Sequence, residues 1–479
     1  MSDKEKQELT TINQDEVLTP REQTVVKQYL KKVDIRILPI FSLVYLLAVM
    51  DRANIGSAIN LGLGDTVKFT KQQAPWNVSI FFVFYIICET PANILLKKLK
   101  PHIWFTIIVC GWSITCILMT WARTPATLLT ARGFLGAFES GLTPGVVGYM
   151  PYWYTRSEIG LRMSIFFAAG TLSGVFGGPI AVGLSSLTIG NIPSYAIIFL
   201  IEGIVSLLVG ISLYFLVYDY PDTVKFFTPE EKELIVRRIT NDQGLASKTS
   251  MSMKQTINAL LDWKMWLYAV MFFAVNFAGV TLGVFGPVLV SSLGFSSIRG
   301  TLMSSLPNAA GFIGQLLTGY TMARFPLWLN SIVFAAIGCF GICMVAFTHF
   351  SPVPKLIMLC IGGFGVFPNI PIIATWMSIN MGGISKRMVA SAMTVSFGGI
   401  AGITAPLAFN KELYAPKFTL GLALNTACLA LICVLALFFK FYYDMENRRR
   451  DNNPVDVSHL SEFEQRELND KHPDFRYKL

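Results

Sequence analysis

The chain has 479 residues, of which 53% are hydrophobic and only 14% charged, and its mean hydropathy is +0.52. A soluble domain carries roughly 25% charged residues, so composition excludes a soluble globular protein and points to the membrane. The net charge of +9 belongs to no soluble basic domain, so it reads as a topology signal and not as a nucleic-acid-binding surface.

The first 34 residues are polar, with no apolar stretch and no cleavage site, so no secretory signal peptide is expected. Thr19-Pro20-Arg21-Glu22 is a capping box with proline at the first helical position, predicting a short amphipathic helix before the first span. Twelve apolar runs of spanning length follow, at about 37–58, 76–96, 104–122, 125–150, 163–188, 195–217, 265–290, 300–322, 327–348, 356–380, 388–410 and 418–439. Continuous runs of this kind exclude a β-barrel, whose strands alternate over about ten residues. The longest interior polar stretch separates the sixth run from the seventh and holds a second capping box, Thr228-Pro229-Glu230-Glu231.

The expected organisation is an all-α membrane protein of twelve transmembrane helices in two six-helix halves. Residues 1–36 and 440–479 are cytoplasmic tails, 218–264 a cytoplasmic central loop, and 37–217 and 265–439 the two halves. A weak repeat supports the division: Gly141-Leu-Thr-Pro144 followed by Trp153 corresponds to Gly365-Val-Phe-Pro368 followed by Trp376. With the N-terminus inside, most of the 39 Lys and Arg fall on the cytoplasmic side, including Lys97, Lys98, Lys386 and Arg387. The eight cysteines all lie in apolar runs and read as small fillers. There is no metal-ligand cluster, nucleophile–base pair or phosphate loop, so an enzyme is not expected.

The informative residues are six ionisable side chains inside the spans, all in the first half: Asp51, Arg52, Glu89, Arg132, Glu139 and Glu202. A charge at that depth costs about 2.5–3.5 kcal/mol on insertion scales, so it pairs, faces water or works. Depth places Asp51 and Arg132 at one height, with Glu139 two turns below Arg132 on the same helix face. The bland alternative is a set of ion pairs locking spans 1 and 4 together. In the functional alternative the residues line a central cavity. Four acids against two arginines then favour protonating at least one acid, and an arginine facing a titratable acid can be freed for a substrate anion. Glu89, with Asn93 behind Pro91, and Glu202 read as gating or structural. Asn276, Asn369 and Trp376 are candidate substrate contacts from the second half, although Asn in a span often only joins helices.

At these residues the chain resembles the major facilitator superfamily, and within it the fungal anion:cation symporter group of allantoate, nicotinate, pantothenate and biotin permeases. The matching segments include Tyr45-Leu-Leu-Ala-Val-Met-Asp-Arg-Ala-Asn-Ile-Gly56, Glu89-Thr-Pro-Ala-Asn93, the run from Ala131 to Gly145, and the run from Trp376 to Gly383. The resemblance implies the major facilitator fold and proton-driven uptake of a small organic anion at the plasma membrane, with both termini cytoplasmic. It implies protons as the coupling ion, no other cofactor, and a protein functional as a monomer. By this likeness Asp51 and Glu139 are the proton-linked acids and Arg52 binds the substrate carboxylate; Asn54 and Arg132 are further candidate substrate contacts. Between spans 2 and 3 the superfamily's loop pattern is reduced to Leu96-Lys-Lys-Leu-Lys-Pro-His102. A vitamin-like carboxylate, with nicotinate as the single best guess, is the expected substrate. The competing functions are a proton antiporter exporting drugs or metabolites and a non-transporting nutrient sensor.

Overall fold

The computed structural model describes residues 19–70, 72–221, 224, 227–243, 260–381, 384–410, 414–415, 417–453, 470, 473 and 475–479. Among them the secondary structure is helical, with no strand. Both predicted capping boxes form. Thr19 and Glu22 exchange side-chain and backbone bonds at the start of α1 (Pro20–Arg36), and Thr228 and Glu231 do so at the start of α10 (Pro229–Gln243). These two amphipathic helices are joined by Lys32 to Glu231 at 2.6 Å and by Arg237 to Glu22 at 2.5 Å.

The N-terminal set continues with α2 (Leu38–Asn60), the short α3 (Leu63–Thr66), α4 (Trp76–Lys98), α5 (Pro101–Met119), α6 (Pro125–Glu139), α7 (Leu142–Tyr149), α8 (Arg156–Ser185) and α9 (Ser194–Leu216). The C-terminal set is α11 (Trp263–Gly283), α12 (Gly286–Ser292), α13 (Ser297–Met303), α14 (Ser305–Thr321), α15 (Leu327–Phe347), α16 (Pro352–Val366), α17 (Asn369–Asn380), α18 (Ile384–Ala408) and α19 (Thr419–Asn452). Among the described residues nine helical stretches are long and apolar enough to cross a membrane. The other three expected spans, at 76–96, 125–150 and 300–322, are helical too, and the last two are each broken in two.

Those breaks, and a third in the run 356–380, have one cause. Proline lacks the N–H for the helical bond and its ring clashes with the carbonyl four residues back. Pro144 acts on Ser140, where α6 gives way to α7; Pro307 acts on Met303, where α13 ends; Pro371 acts on Phe367, between α16 and α17. Helix α4 runs on through Pro91 without a break, so Glu89 lies within a continuous helix.

The two sets meet along a seam made at the ends far from α1. Asn60 Nδ2 lies 2.9 Å from Ser291 Oγ, Ser297 O and Thr301 Oγ1. The backbone of Gly56 lies so close to Val284 that a Cβ there would sit 1.8 Å from its carbonyl oxygen. On a second line, Thr171 of α8 donates to Gln315 of α14 at 2.6 Å. Every one of these bonds crosses from the N-terminal to the C-terminal set, so the structure is closed at that side of the membrane.

At the other side, the last residues dock on the C-terminal set. Asp470 is 1% exposed and is held by Lys264 and Lys386. Asn447 bonds both backbone groups of Tyr477 at 2.9 Å, and Asn380 bonds those of Lys478 at 2.8 and 2.9 Å. The Tyr477 ring stacks on Tyr443 with centroids 4.5 Å apart.

Candidate substrate and proton site

The six intramembrane charges sort into three clusters by helix azimuth. Consecutive residues on a helix point about 100° apart, so Asp51 and Arg52 of α2 cannot face the same neighbour. Arg52 turns toward α6, where its Nε donates to Glu139 Oε1 at 3.1 Å and Nη2 joins the same oxygen. Asp51 turns toward α5 and α9, accepting from Ser206 Oγ at 2.8 Å and Cys116 Sγ at 3.8 Å. The pairing of Asp51 with Arg132 expected from depth is therefore not made. Arg132 donates instead to the carbonyls of Asn77 (3.0 Å) and Arg52 (3.5 Å).

Among the six charges, Arg52 is the one that is not buried. Glu139 keeps 1% of its side-chain surface and Arg52 keeps 20%, whereas Arg132 is wholly buried. Phe81, Phe82 and Tyr85 of α4 wall the pair, with their ring centroids 5.1, 5.9 and 5.5 Å from the Arg52 guanidinium carbon. The Arg132 guanidinium carbon lies 5.2 Å from the centroid of the same Phe81 ring, so one ring serves two cations. This aromatic wall escaped the sequence reading. The i, i+1, i+4 spacing of 81, 82 and 85 on a span facing charged helices was the available signal. Two valences in the site are unfilled: Arg132 Nη1 and Glu139 Oε2 are buried without a hydrogen-bond partner.

The second cluster lies inside the N-terminal set. Glu202 Oε2 accepts from Asn54 Nδ2, one turn along α2 from Asp51, and Ser206 sits one turn along α9 from Glu202. Acid and neutral donor thus alternate between the two helices. Neither Asp51 nor Glu202 is in an ion pair among the described residues, and Glu202 Oε1 has no partner. Asn54, a candidate substrate contact, has its donor engaged here. The third position, Glu89, reaches across the seam to Ser396 Oγ of α18 at 2.9 Å. The side chain of Asn93 lies outside the described residues.

The candidates of the second half part company. Asn276 donates to its own helix at Phe272 O (2.8 Å) and is half-buried, next to the backbone of Gly398. Asn369 is filled on both sides, donating to Gly365 O at 3.0 Å and accepting from Ser331 at 3.0 Å. The Trp376 indole N–H donates to Lys478 O at 3.0 Å. The donors of Asn369 and Trp376 are thus engaged within the C-terminal set and its docked tail, not at the Arg52 pair.

The profile of the Major Facilitator Superfamily matches residues 41–406. The chain belongs to that superfamily. It is a multi-pass membrane transporter and not an enzyme. It is 29% identical to the MFS transporter prlL of a fungal species over 87% of this chain and 86% of that protein. It is 27% identical to a high-affinity nicotinic acid transporter of Saccharomyces cerevisiae over 99% of this chain and 89% of that protein. A proton:xylose symporter structure superposes with a TM-score of 0.67 at 15% identity, covering 86% of this chain and 96% of that one. That likeness supports the major facilitator fold.

Proposed function

We propose that this transporter is a proton-coupled importer of a small organic anion, of the fungal anion:cation symporter type, with nicotinate as the first substrate to try. The observation that carries the reading is the Arg52–Glu139 pair: a partly exposed guanidinium resting on a buried carboxylate beside an aromatic wall. When Glu139 takes a proton its hold on the cation weakens, and a substrate carboxylate replaces it on Arg52. Phe81, Phe82 and Tyr85 supply apolar faces suited to a flat ring. Substrate binding and protonation are then favourable together, as symport requires. The likeness to a nicotinic acid transporter supports the substrate choice.

Asp51 is the second proton-linked acid in this scheme, compensated only by neutral donors, and Arg132 holds α6 and α4 in place behind the pair. Protons are the coupling ion, and the protein works as a monomer in the plasma membrane with both termini in the cytoplasm. The test is uptake of a panel of radiolabelled organic acids by cells expressing the chain, at acidic and neutral pH. Uptake of nicotinate or another small monocarboxylate that rises as external pH falls supports the reading. Efflux with uptake unchanged favours the antiporter.

A further inference from the structure

Helices α4 and α18 meet in a ladder of contacts at helical spacing. Ser79 Oγ donates to Ile403 O at 2.9 Å. A Cβ on Gly402 would sit 2.3 Å from the Phe82 ring, and one on Gly399 would sit 2.8 Å from Ile86. Glu89 Oε2 accepts from Ser396 Oγ at 2.9 Å. Positions 79, 82, 86 and 89 share one face of α4, while their partners descend α18 in the opposite direction. The ladder begins at the closed side of the membrane and its innermost rung is a carboxylate.

That carboxylate is poorly compensated. Glu89 is 2% exposed, Oε1 has no partner, and Ser396 supplies one neutral donor. On its own helix the described titratable neighbours are Cys88, next in the chain, and Tyr85, one turn away. Beyond it, α2 presents Arg52 over the Tyr85 ring, already bound to Glu139 of α6. From α18, the described charged side chain is Lys386, held by Asp262 and Asp470. No ion pair reaches Glu89 among the described residues.

We propose that Glu89 is a proton-linked strut of this seam, taking a proton from water as α4 and α18 close and returning it when they part. An ionised carboxylate with one neutral donor in a dry interface is expensive, whereas the neutral acid keeps the Ser396 bond at little cost. Once the seam opens, water solvates the anion. In alternating access the two halves rock against each other, so Glu89 ties a protonation step to that motion through a bond that crosses the halves. Its part in transport rests on the proton-coupled reading above, but its effect on the seam is measurable without substrate.

Ser79 is 1% exposed, so a Ser79→Cys reporter reacts with a maleimide only when the ladder opens. The labelling rate of Ser79→Cys protein in nanodiscs, with and without Glu89→Gln, is compared at each pH, so that the chemistry of the reporter thiol cancels in the ratio. The permanently neutral Gln variant should label at the parental rate in acid and fall behind it as pH rises, by up to about tenfold per pH unit for one linked proton. A ratio that stays constant with pH overturns the proposal. Ser396→Ala, which leaves the acid in place and removes its donor, should label faster than the parent at every pH; labelling at the parental rate would equally overturn it. Because no substrate is present, failure here leaves the organic-anion reading standing, and failure of the uptake panel leaves this result standing.

Discussion

The closest backbone approach in the seam offers a sharp perturbation. Gly56→Ala places a methyl 1.8 Å from Val284 O and 2.9 Å from Val284 C. Ordinary contact is about 3.5–4.0 Å, so α2 and the α11–α12 corner must part by more than about 1.5 Å. Both sides of the clash are backbone, so no side-chain rotation relieves it. The bonds from Asn60, one turn further along α2, would stretch with it. Overpacking of this kind costs about 1–3 kcal/mol, which shifts the balance between closed and open seam by roughly 5- to 150-fold. Ser79→Cys labelling in the Gly56→Ala background should quicken by that factor, and net substrate transport should fall because the closed state is reached less often. Gly183→Ala is the control, since a Cβ on Gly183 meets nothing within 4 Å. Parental labelling and transport in Gly56→Ala would refute the view that this approach closes the transporter.

Other substitutions probe the charged site and the tail. Arg52→Lys keeps the charge and loses the planar fork; loss of a charged hydrogen bond costs about 1.5–3 kcal/mol, so binding of the acid substrate to purified protein should weaken about 10- to 150-fold while its neutral amide is affected much less. An unchanged acid-to-amide ratio would leave Arg52 as a strut between α2 and α6. Asp51→Asn and Glu139→Gln should each abolish accumulation against a gradient and leave substrate exchange intact, as measured by uptake and counterflow in vesicles. At the tail, burial alone would push the Asp470 carboxyl up, but Lys264 and Lys386 outweigh it and hold it below the usual value. A carboxyl depressed in the folded state adds stability above its unfolded value, near 3.9, and loses it as pH falls through the folded value. Docking of the tail is therefore retained at neutral pH and weakened in strong acid. Asp470→Ala should free the tail at pH 7, read as at least about tenfold faster tryptic cleavage after Arg476, because removing one partner of a buried ion pair costs about 3–5 kcal/mol.

The spans were legible because a bilayer demands long apolar runs, but the breaks in them were not, since Pro91, Pro179 and Pro406 lie inside helices that continue. Pro144, Pro307 and Pro371 each mark a break four residues upstream, which a reading by hydropathy alone passes over. The charged residues were legible as a set but not as pairs. Depth along a helix gives height without azimuth, so Asp51 was set opposite Arg132, whereas its neighbour Arg52 occupies the face toward α6. Asn369 and Trp376 were chosen as polar groups in the second half; their hydrogen bonds show how readily such groups are used up between helices. Nothing periodic marks the tail, because Asn380 and Asn447 grip its backbone and so leave little trace in its sequence.

The most direct test of proton-coupled anion import is simultaneous measurement of labelled nicotinate and internal pH in proteoliposomes holding the purified protein. The account predicts that nicotinate entry is accompanied by protein-dependent acidification beyond that of empty liposomes, and that an inward proton gradient drives its accumulation in the wild type but not in Glu139→Gln. Nicotinate entry that neither moves protons nor responds to the gradient would contradict it.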